Sequence, residues 1–216
     1  MVALSNCIPN VIVSDRRFDI DSSGHFQNDA YFECLRLSRV REWKYALLIQ
    51  NHDVVLRSDE ELKRILRIMN GTNDVLYEEC KKPRCHDGLD RNLGHLGLCP
   101  IMLQGAEAVQ CKAAKLRWGK GSAQALLARA TIDYILDQMN ITTALARFNR
   151  WGFGFDELFV ASLLATPELR IPGSFTQGVR PEGYTSITRY VDWRDDGTLC
   201  RGELSRHKVC LLTVEY

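Results

Sequence analysis

The chain has 216 residues, of which 45% are hydrophobic and 25% are charged, so it has a globular composition and is long enough to bury one substantial core. Its 28 Lys and Arg residues nearly balance its 27 Asp and Glu residues, which excludes a general electrostatic attraction for nucleic acid or an anionic membrane surface. The sequence shows neither a signal peptide nor a run of about 20 apolar residues, the length that spans a membrane.

The first half of the chain predicts strands that alternate with helices. Residues 10–14 predict a short buried strand, residues 28–40 predict a helix, and residues 43–49 predict a second strand. Ser58 and Glu61 have the spacing of a capping box, which predicts the start of a further helix. The apolar face of that helix contains Leu62, Ile65, Leu66 and Met69.

The second half begins with an irregular segment, because residues 80–110 contain several Gly and Pro residues without clear periodicity. The later predicted elements are a strand over residues 116–118, a helix from Ser122 to about Met139, a helix over residues 156–165, and strands over residues 186–193 and 209–214. This order predicts an α/β sandwich with a mixed, partly parallel central sheet, in one domain over residues 1–216.

Eight cysteines, an even number, indicate an oxidising compartment. Two Asn-X-Thr sequons, which begin at Asn70 and Asn140, point the same way. The alternative for part of this set is a zinc site built from Cys80, Cys85, His86 and Cys99. Their spacing does not match the paired short gaps of structural zinc sites, so disulfide bonds are the simpler interpretation.

Four blocks carry a family resemblance. They are WKYALLIQNHDVVLRSDEELKRIL at residues 43–66, LRWGKGSAQALLARATIDYIL at 116–136, FGFDELFVASL at 153–163 with IPGSF at 171–175, and ITRYVDW at 187–193 followed by CRGELSRHKVC at 200–210. Together they resemble the core-2/I-branching N-acetylglucosaminyltransferases, in particular nematode-like members. Each block alone is an ordinary capped helix or strand and turn, so the resemblance depends on their order and spacing.

The resemblance implies a GT-A-like fold that transfers a sugar, usually GlcNAc, from a UDP-sugar to a glycan hydroxyl of a glycoprotein, with inversion and without a metal ion. It also implies the lumenal side of the Golgi membrane. The segment SNCIPNVIV resembles one that follows the first strands of the family's domain. We therefore expect the opening strand, the stem and the membrane anchor to be absent, and this partial domain to have little transferase activity.

Two alternatives to a GlcNAc transferase stay open. One is a non-catalytic remnant that binds glycan or a protein partner without turnover. The other is a relative that transfers xylose from UDP-xylose to a protein serine. The donor sugar and the acceptor are not determined by the sequence.

The resemblance places the catalytic base at Glu157. An inverting transfer needs one carboxylate to accept the proton of the attacking hydroxyl, and in the family this is the Glu of an Asp-Glu pair. On the residues alone, an Asp-Glu pair that opens a helix is more often only a favourable first turn.

The resemblance also assigns residues near the end of the chain. Arg206 and Lys208 correspond to basic side chains that offset the charge of the UDP leaving group, with a solvated basic turn as the alternative. Trp193 corresponds to an aromatic residue that packs on the acceptor sugar, with core burial as the alternative. A small disulfide loop of the family implies a bond between Cys200 and Cys210.

Three acidic residues complete the candidates. Asp53 follows the second predicted strand, at the edge where α/β sheets bind ligands, and is a donor-binding candidate. Asp19 and Asp21 form the Asp-X-Asp pattern that suits Mg²⁺ or Mn²⁺. This pattern lies out of place relative to the matched blocks and is discounted, and the resemblance implies neither a metal ion nor another cofactor.

Overall fold

The computed structural model of the chain describes residues 7–50, 53–80, 85, 88–150, 155–174, 187–194, 199–200, 202–205 and 208–211. The chain divides into two compact units, residues 1–184 and residues 185–216. The prediction of one catalytic domain over the whole chain stays a prediction.

The described part of the first unit contains helices and four short strands. The helices are α1 (Gln27–Ser38), α2 (Asp59–Met69), α3 (Leu93–Leu96), α4 (Gly105–Ala113), α5 (Arg129–Gln138), α6 (Thr142–Phe148), α7 (Phe159–Ala165) and a 3-10 turn (Pro167–Leu169). The strands are β1 (Tyr45–Leu48), β2 (Glu78–Glu79), β3 (Gly119–Lys120) and β4 (Ala125–Ala128). The second unit contributes β5 (Glu203–Leu204) and β6 (Cys210–Leu211).

The strands pair in three two-stranded antiparallel sheets, β1 with β4, β2 with β3, and β5 with β6. The fold is therefore mixed α/β. The predicted parallel pairing does not occur among the described residues. Alternation of strands and helices along a sequence does not by itself fix strand direction, because the segment between β1 and β4 is long enough to return the chain in either sense.

The predictions for the first helix, the second strand and the capped helix are confirmed. The helix α1 begins one residue before the predicted range and ends within it, and the strand β1 lies inside its predicted range. At the start of α2, the Ser58 side chain accepts a hydrogen bond from the Glu61 N–H, and the Glu61 carboxylate accepts one from the Ser58 N–H. This reciprocal pair satisfies two backbone donors that a helix start would leave open.

Two local predictions are wrong. Residues 10–14 form no strand, and Val11 and Ile12 are 36% and 42% exposed, so this apolar run lacks the buried face that the prediction assumed. The helix predicted from Ser122 begins only at Arg129, because residues 125–128 form β4, which is buried at all four positions and pairs with β1. An Ala-Leu-Leu-Ala run fits a helix and a fully buried strand equally well.

The bounds of the other predicted elements also differ from those in the structure. The segment predicted to be irregular contains α3 and most of α4, and the strand predicted at residues 116–118 lies instead at β3. The helix predicted from residue 156 begins at Phe159. Within residues 187–193, the only described strand pairing is the isolated bridge between Trp193 and Val209. No helix among the described residues is long and apolar enough to cross a membrane.

An aromatic cluster fills the core beneath the candidate site. The ring of Phe148 meets the rings of Trp118, Phe155 and Phe159 edge to face, with centroid distances of 5.8, 5.5 and 5.1 Å. Such pairs contribute about 0.5–1.5 kcal/mol each beyond their burial. Phe155 immediately precedes the Asp-Glu pair, so the core holds the backbone from which that pair projects.

Two disulfide bonds, Cys80–Cys85 and Cys99–Cys111, join segments within the first unit. These pairs use the cysteines of the alternative zinc site, which needs thiolates rather than oxidised sulfur. The zinc interpretation is therefore wrong for these cysteines. His86 lies outside the described residues.

Candidate active site

Glu157 lies in a turn that precedes α7 rather than inside that helix, whose first residue is Phe159. Its main-chain carbonyl accepts a hydrogen bond of 2.7 Å from the Gly121 N–H. Its carboxylate lies 3.9 Å from the Lys120 ammonium group, and its side chain is 34% exposed. The carboxylate therefore stands at the surface, next to a cation, on a fixed backbone, where it can reach a hydroxyl group outside the protein.

The neighbouring Asp156 is an acid in an unfavourable environment for its charge. Burial first, and then the negative charge of Glu157, raise the pKa of Asp156 from 3.8 to about 6. Hydrogen bonds from the backbone N–H groups of Glu157 and of Asp156 itself oppose this rise. The carboxyl group lies against Gly24, where a Cβ atom would come within 2.5 Å of Asp156 Cγ.

This pKa makes a stability prediction. The folded state holds the Asp156 proton more tightly than the unfolded state, so folding stability should fall as pH rises from about 4 to about 6 and then level off. We expect Asp156→Asn to remove this loss and to gain on the order of 1–3 kcal/mol over the wild type at pH 7. Urea unfolding of both proteins between pH 4 and 7 measures the difference.

Asp137→Asn is the matched control. The hydrogen bond from Arg39 holds the pKa of Asp137 below its usual value, so this variant should lose stability above pH 4 instead of gaining it. If Asp156→Asn and the wild type show parallel pH dependence, the burial of Asp156 is not what the structure indicates.

The turn that holds Asp53 is linked to the same region. The Asp53 carboxylate accepts a hydrogen bond of 2.7 Å from the Gln50 N–H, which closes the turn after β1. The Gln50 side chain in turn accepts a bond of 2.7 Å from Gln124. Residues 120–124 therefore connect the turn of Asp53 with the turn of Glu157. Asn51 and His52 lie outside the described residues.

In the Asp-X-Asp pattern, the Asp21 carboxylate stabilises a turn. The Asp21 carboxylate accepts hydrogen bonds from the Ser23 and His25 N–H groups, and its second oxygen lies 2.7 Å from His25 Nδ1. The hydrogen bond to His25 is the main reason that the pKa of Asp21 is lowered. In the part of the chain that the structure describes, no three His, Cys, Asp or Glu side chains are arranged to hold a metal ion.

The second unit contains the other candidates. Trp193 is 52% exposed, which argues against core burial, and it bridges to Val209. The structure contains the Cys200–Cys210 disulfide bond. Lys208 is exposed, and its main chain bonds to Ser205 and Arg194. Arg206 lies outside the described residues.

Three residues of the Glu157 environment were not found by sequence reasoning: Gly24, Lys120 and Asp156. In the Asp-Glu pair, the resemblance gives a role to Glu157 and none to Asp156. The Gly-Lys-Gly triplet at residues 119–121 lay in a block that was matched as a whole, without a role for its lysine.

The comparisons with known proteins decide the family. A model of the core-2/I-branching enzyme family matches residues 1–216, the whole chain. The chain belongs to the core-2/I-branching enzyme family. This confirms the resemblance that the four sequence blocks indicate.

One curated member of this group is a Bos taurus protein named beta-1,3-galactosyl-O-glycosyl-glycoprotein beta-1,6-N-acetylglucosaminyltransferase. It is 22% identical to this core-2/I-branching family member over 209 aligned positions, which cover 89% of this chain and 45% of the relative. The chain thus spans less than half the length of this curated relative.

Proposed function

We propose that the chain is an inverting glycosyltransferase that moves GlcNAc from UDP-GlcNAc to a hydroxyl group of a glycoprotein glycan, without a metal ion. The observation that carries the proposal is Glu157, a surface carboxylate on a fixed turn beside Lys120, at the family's base position. The family match and the name of the Bos taurus relative support the donor and acceptor classes. A GT-A-like arrangement and the Golgi lumen belong to the same proposal.

The chemistry needs one proton acceptor and one stabilised leaving group. The acceptor oxygen attacks the sugar C1 from the face opposite the phosphate, and Glu157 takes the hydroxyl proton. The bond between C1 and the phosphate oxygen breaks, and UDP leaves with the electron pair. Lys208 and Arg206 offset the charge that develops on the diphosphate.

The second unit supports this assignment through its exposed groups. Trp193 offers an accessible indole face, which suits the apolar face of a pyranose ring. The disulfide bond between Cys200 and Cys210 closes the loop that carries Lys208. The bond restricts the position of Lys208 within its own unit, which favours a binding role over a solvated basic turn.

Lys208 gives a binding prediction. Lys208→Gln removes the charge at nearly constant length and should weaken UDP binding about tenfold to hundredfold, the size of one lost charge-assisted hydrogen bond. Lys208→Arg should retain most of the affinity, because a guanidinium group also binds phosphate. Calorimetric titration with UDP measures both variants.

Lys112→Gln is the control, since Lys112 is an exposed lysine at the end of α4 and should not affect UDP affinity. An unchanged dissociation constant for Lys208→Gln would assign Lys208 to a solvated basic turn.

The proposed reaction is tested by offering UDP-GlcNAc and UDP-xylose to the protein, produced in an oxidising host, with pooled glycan and peptide acceptors. We expect GlcNAc on glycan, at a low rate in keeping with the little transferase activity expected from the sequence. Xylose on serine peptides would support the xylosyltransferase alternative. Glycan binding without transfer would support the non-catalytic remnant.

A further inference from the structure

We propose that Asp156 is a positioning residue for proton transfer: its carboxyl group, seated against the turn at Gly24, holds the Glu157 backbone in place. The inference rests on the proposed role of Glu157 as the base. It adds two residues to the site that the family comparison does not assign.

The Asp156 carboxyl group fits against the turn because Gly24 has no side chain. We call this contact between Asp156 and Gly24 the seat of Asp156. A Cβ atom on Gly24 would lie 2.5 Å from Asp156 Cγ and 3.1 Å from Asp156 Cβ, and closer still to Asp156 Oδ1. The carboxyl group therefore occupies the space that any other residue at position 24 would fill. Gly24 also has a φ of +87°, a conformation that L-residues with a side chain rarely adopt.

Hydrogen bonds on both sides of Gly24 fix the turn that contains it. The Gly24 N–H donates to the Asp21 carbonyl at 3.1 Å, and the Asp21 carboxylate accepts from the N–H groups of the two residues that flank Gly24. Two residues later, the Phe26 N–H donates to Asn149 Oδ1 at 2.8 Å. The surface that receives Asp156 is thus fixed to the end of α6.

The Glu157 peptide is held by contacts on both of its ends. Asp156 accepts a hydrogen bond from the Glu157 N–H, and the Gly121 N–H donates to the Glu157 carbonyl at 2.7 Å. Just before the pair, Asn28 Nδ2 donates to the Phe155 carbonyl at 3.0 Å. A displaced Asp156 carboxyl group would release one of these contacts and shift the base.

The charge of Asp156 adds a pH signature. Burial, and then the charges of Glu157 and Asp21, raise its pKa to about 6. The other titratable groups nearby are His25 on the Gly24 turn and Lys120 beside Glu157. A charged acceptor binds an N–H group more strongly than a neutral one. The hydrogen bond from the Glu157 N–H to Asp156 should therefore strengthen, and kcat should rise, as pH increases through about 6.

The test compares two glycines with similar backbone conformations. Gly24→Ala and Gly71→Ala both place a side chain at positive φ, +87° and +90°, but a Cβ on Gly71 would meet no atom within 4 Å. Only Gly24→Ala should displace Asp156. We expect its kcat to fall about tenfold to hundredfold with little change in KM, as is typical of a misplaced catalytic group, whereas Gly71→Ala should keep the wild-type kcat.

A double-mutant cycle isolates the contact. In an Asp156→Ala background the carboxyl group is gone and only the Cβ contact remains, so Gly24→Ala should cause little further loss of kcat, which makes the two substitutions strongly non-additive. Asp156→Asn keeps the acceptor oxygen but not the charge. It should retain activity at low pH and lose the rise of kcat through about pH 6.

Equal kcat values for the two glycine variants, or additive losses in the cycle, would overturn the proposal. The same cycle measured on unfolding free energy reports the seat without any need for activity. Additive unfolding effects would show that the seat itself does not exist. A non-additive unfolding cycle in a protein that transfers no sugar would instead reject the proposed function, and with it the positioning role.

Discussion

In an active form of the protein, replacement of Glu157 by Gln should lower kcat for sugar transfer by about 10²- to 10⁴-fold, the usual contribution of a general base. Binding of UDP-GlcNAc should change little, because the carboxylate acts on the acceptor hydroxyl and is not needed to hold the donor. Gln has nearly the shape of Glu, and the backbone contact to Gly121 does not involve the side chain. Steady-state transfer assays give the loss in kcat, and calorimetry gives the donor affinity.

Glu107→Gln provides the control for a lost surface carboxylate. Glu107 pairs with Arg170 at an exposed position, and such pairs contribute little, so this variant should keep wild-type kcat. Near-normal turnover by Glu157→Gln would mean that the base lies elsewhere in the chain.

The second large effect is on folding. Phe148→Ala should lower the free energy of unfolding by about 3–5 kcal/mol, the range for a buried Phe reduced to Ala. Phe148 is 1% exposed and contacts three other aromatic rings. Its removal leaves a cavity whose rigid aromatic walls cannot close. Urea unfolding of the oxidised protein measures the loss.

Ile68→Ala is the matched control for lost apolar volume. Ile68 is 79% exposed on α2, so its truncation should change the unfolding free energy by less than about 0.5 kcal/mol. A loss below about 1 kcal/mol for Phe148→Ala would contradict the described core, since it lies well under the range for a buried aromatic side chain.

Local patterns predicted the elements that depend on local contacts. The capping box at Ser58 and Glu61 is made by residues three apart, and it determines where α2 begins. By contrast, residues 125–128 become a strand because they pair with β1, which lies about 80 residues earlier. The sequence offers no local signal for such a pairing, because the same apolar run also fits a helix.

The candidate site shows the same limit. Glu157 was identified because family resemblance maps a role onto a position. The seat of Asp156 joins residues more than 130 positions apart, 24 and 156, and depends on the absence of a Cβ atom. An isolated glycine in a polar turn is common in any sequence. Only the folded chain shows which glycine faces the acid.

The stereochemistry of the product shows whether transfer proceeds with inversion. With UDP-GlcNAc, whose sugar is α-linked, and a glycan acceptor in the presence of EDTA, we expect a β-linked GlcNAc product, seen in the proton NMR coupling at C1, and a rate unchanged by the chelator. Single displacement assisted by one carboxylate base has that outcome. An α-linked product, or a rate that EDTA abolishes and Mn²⁺ restores, would contradict it.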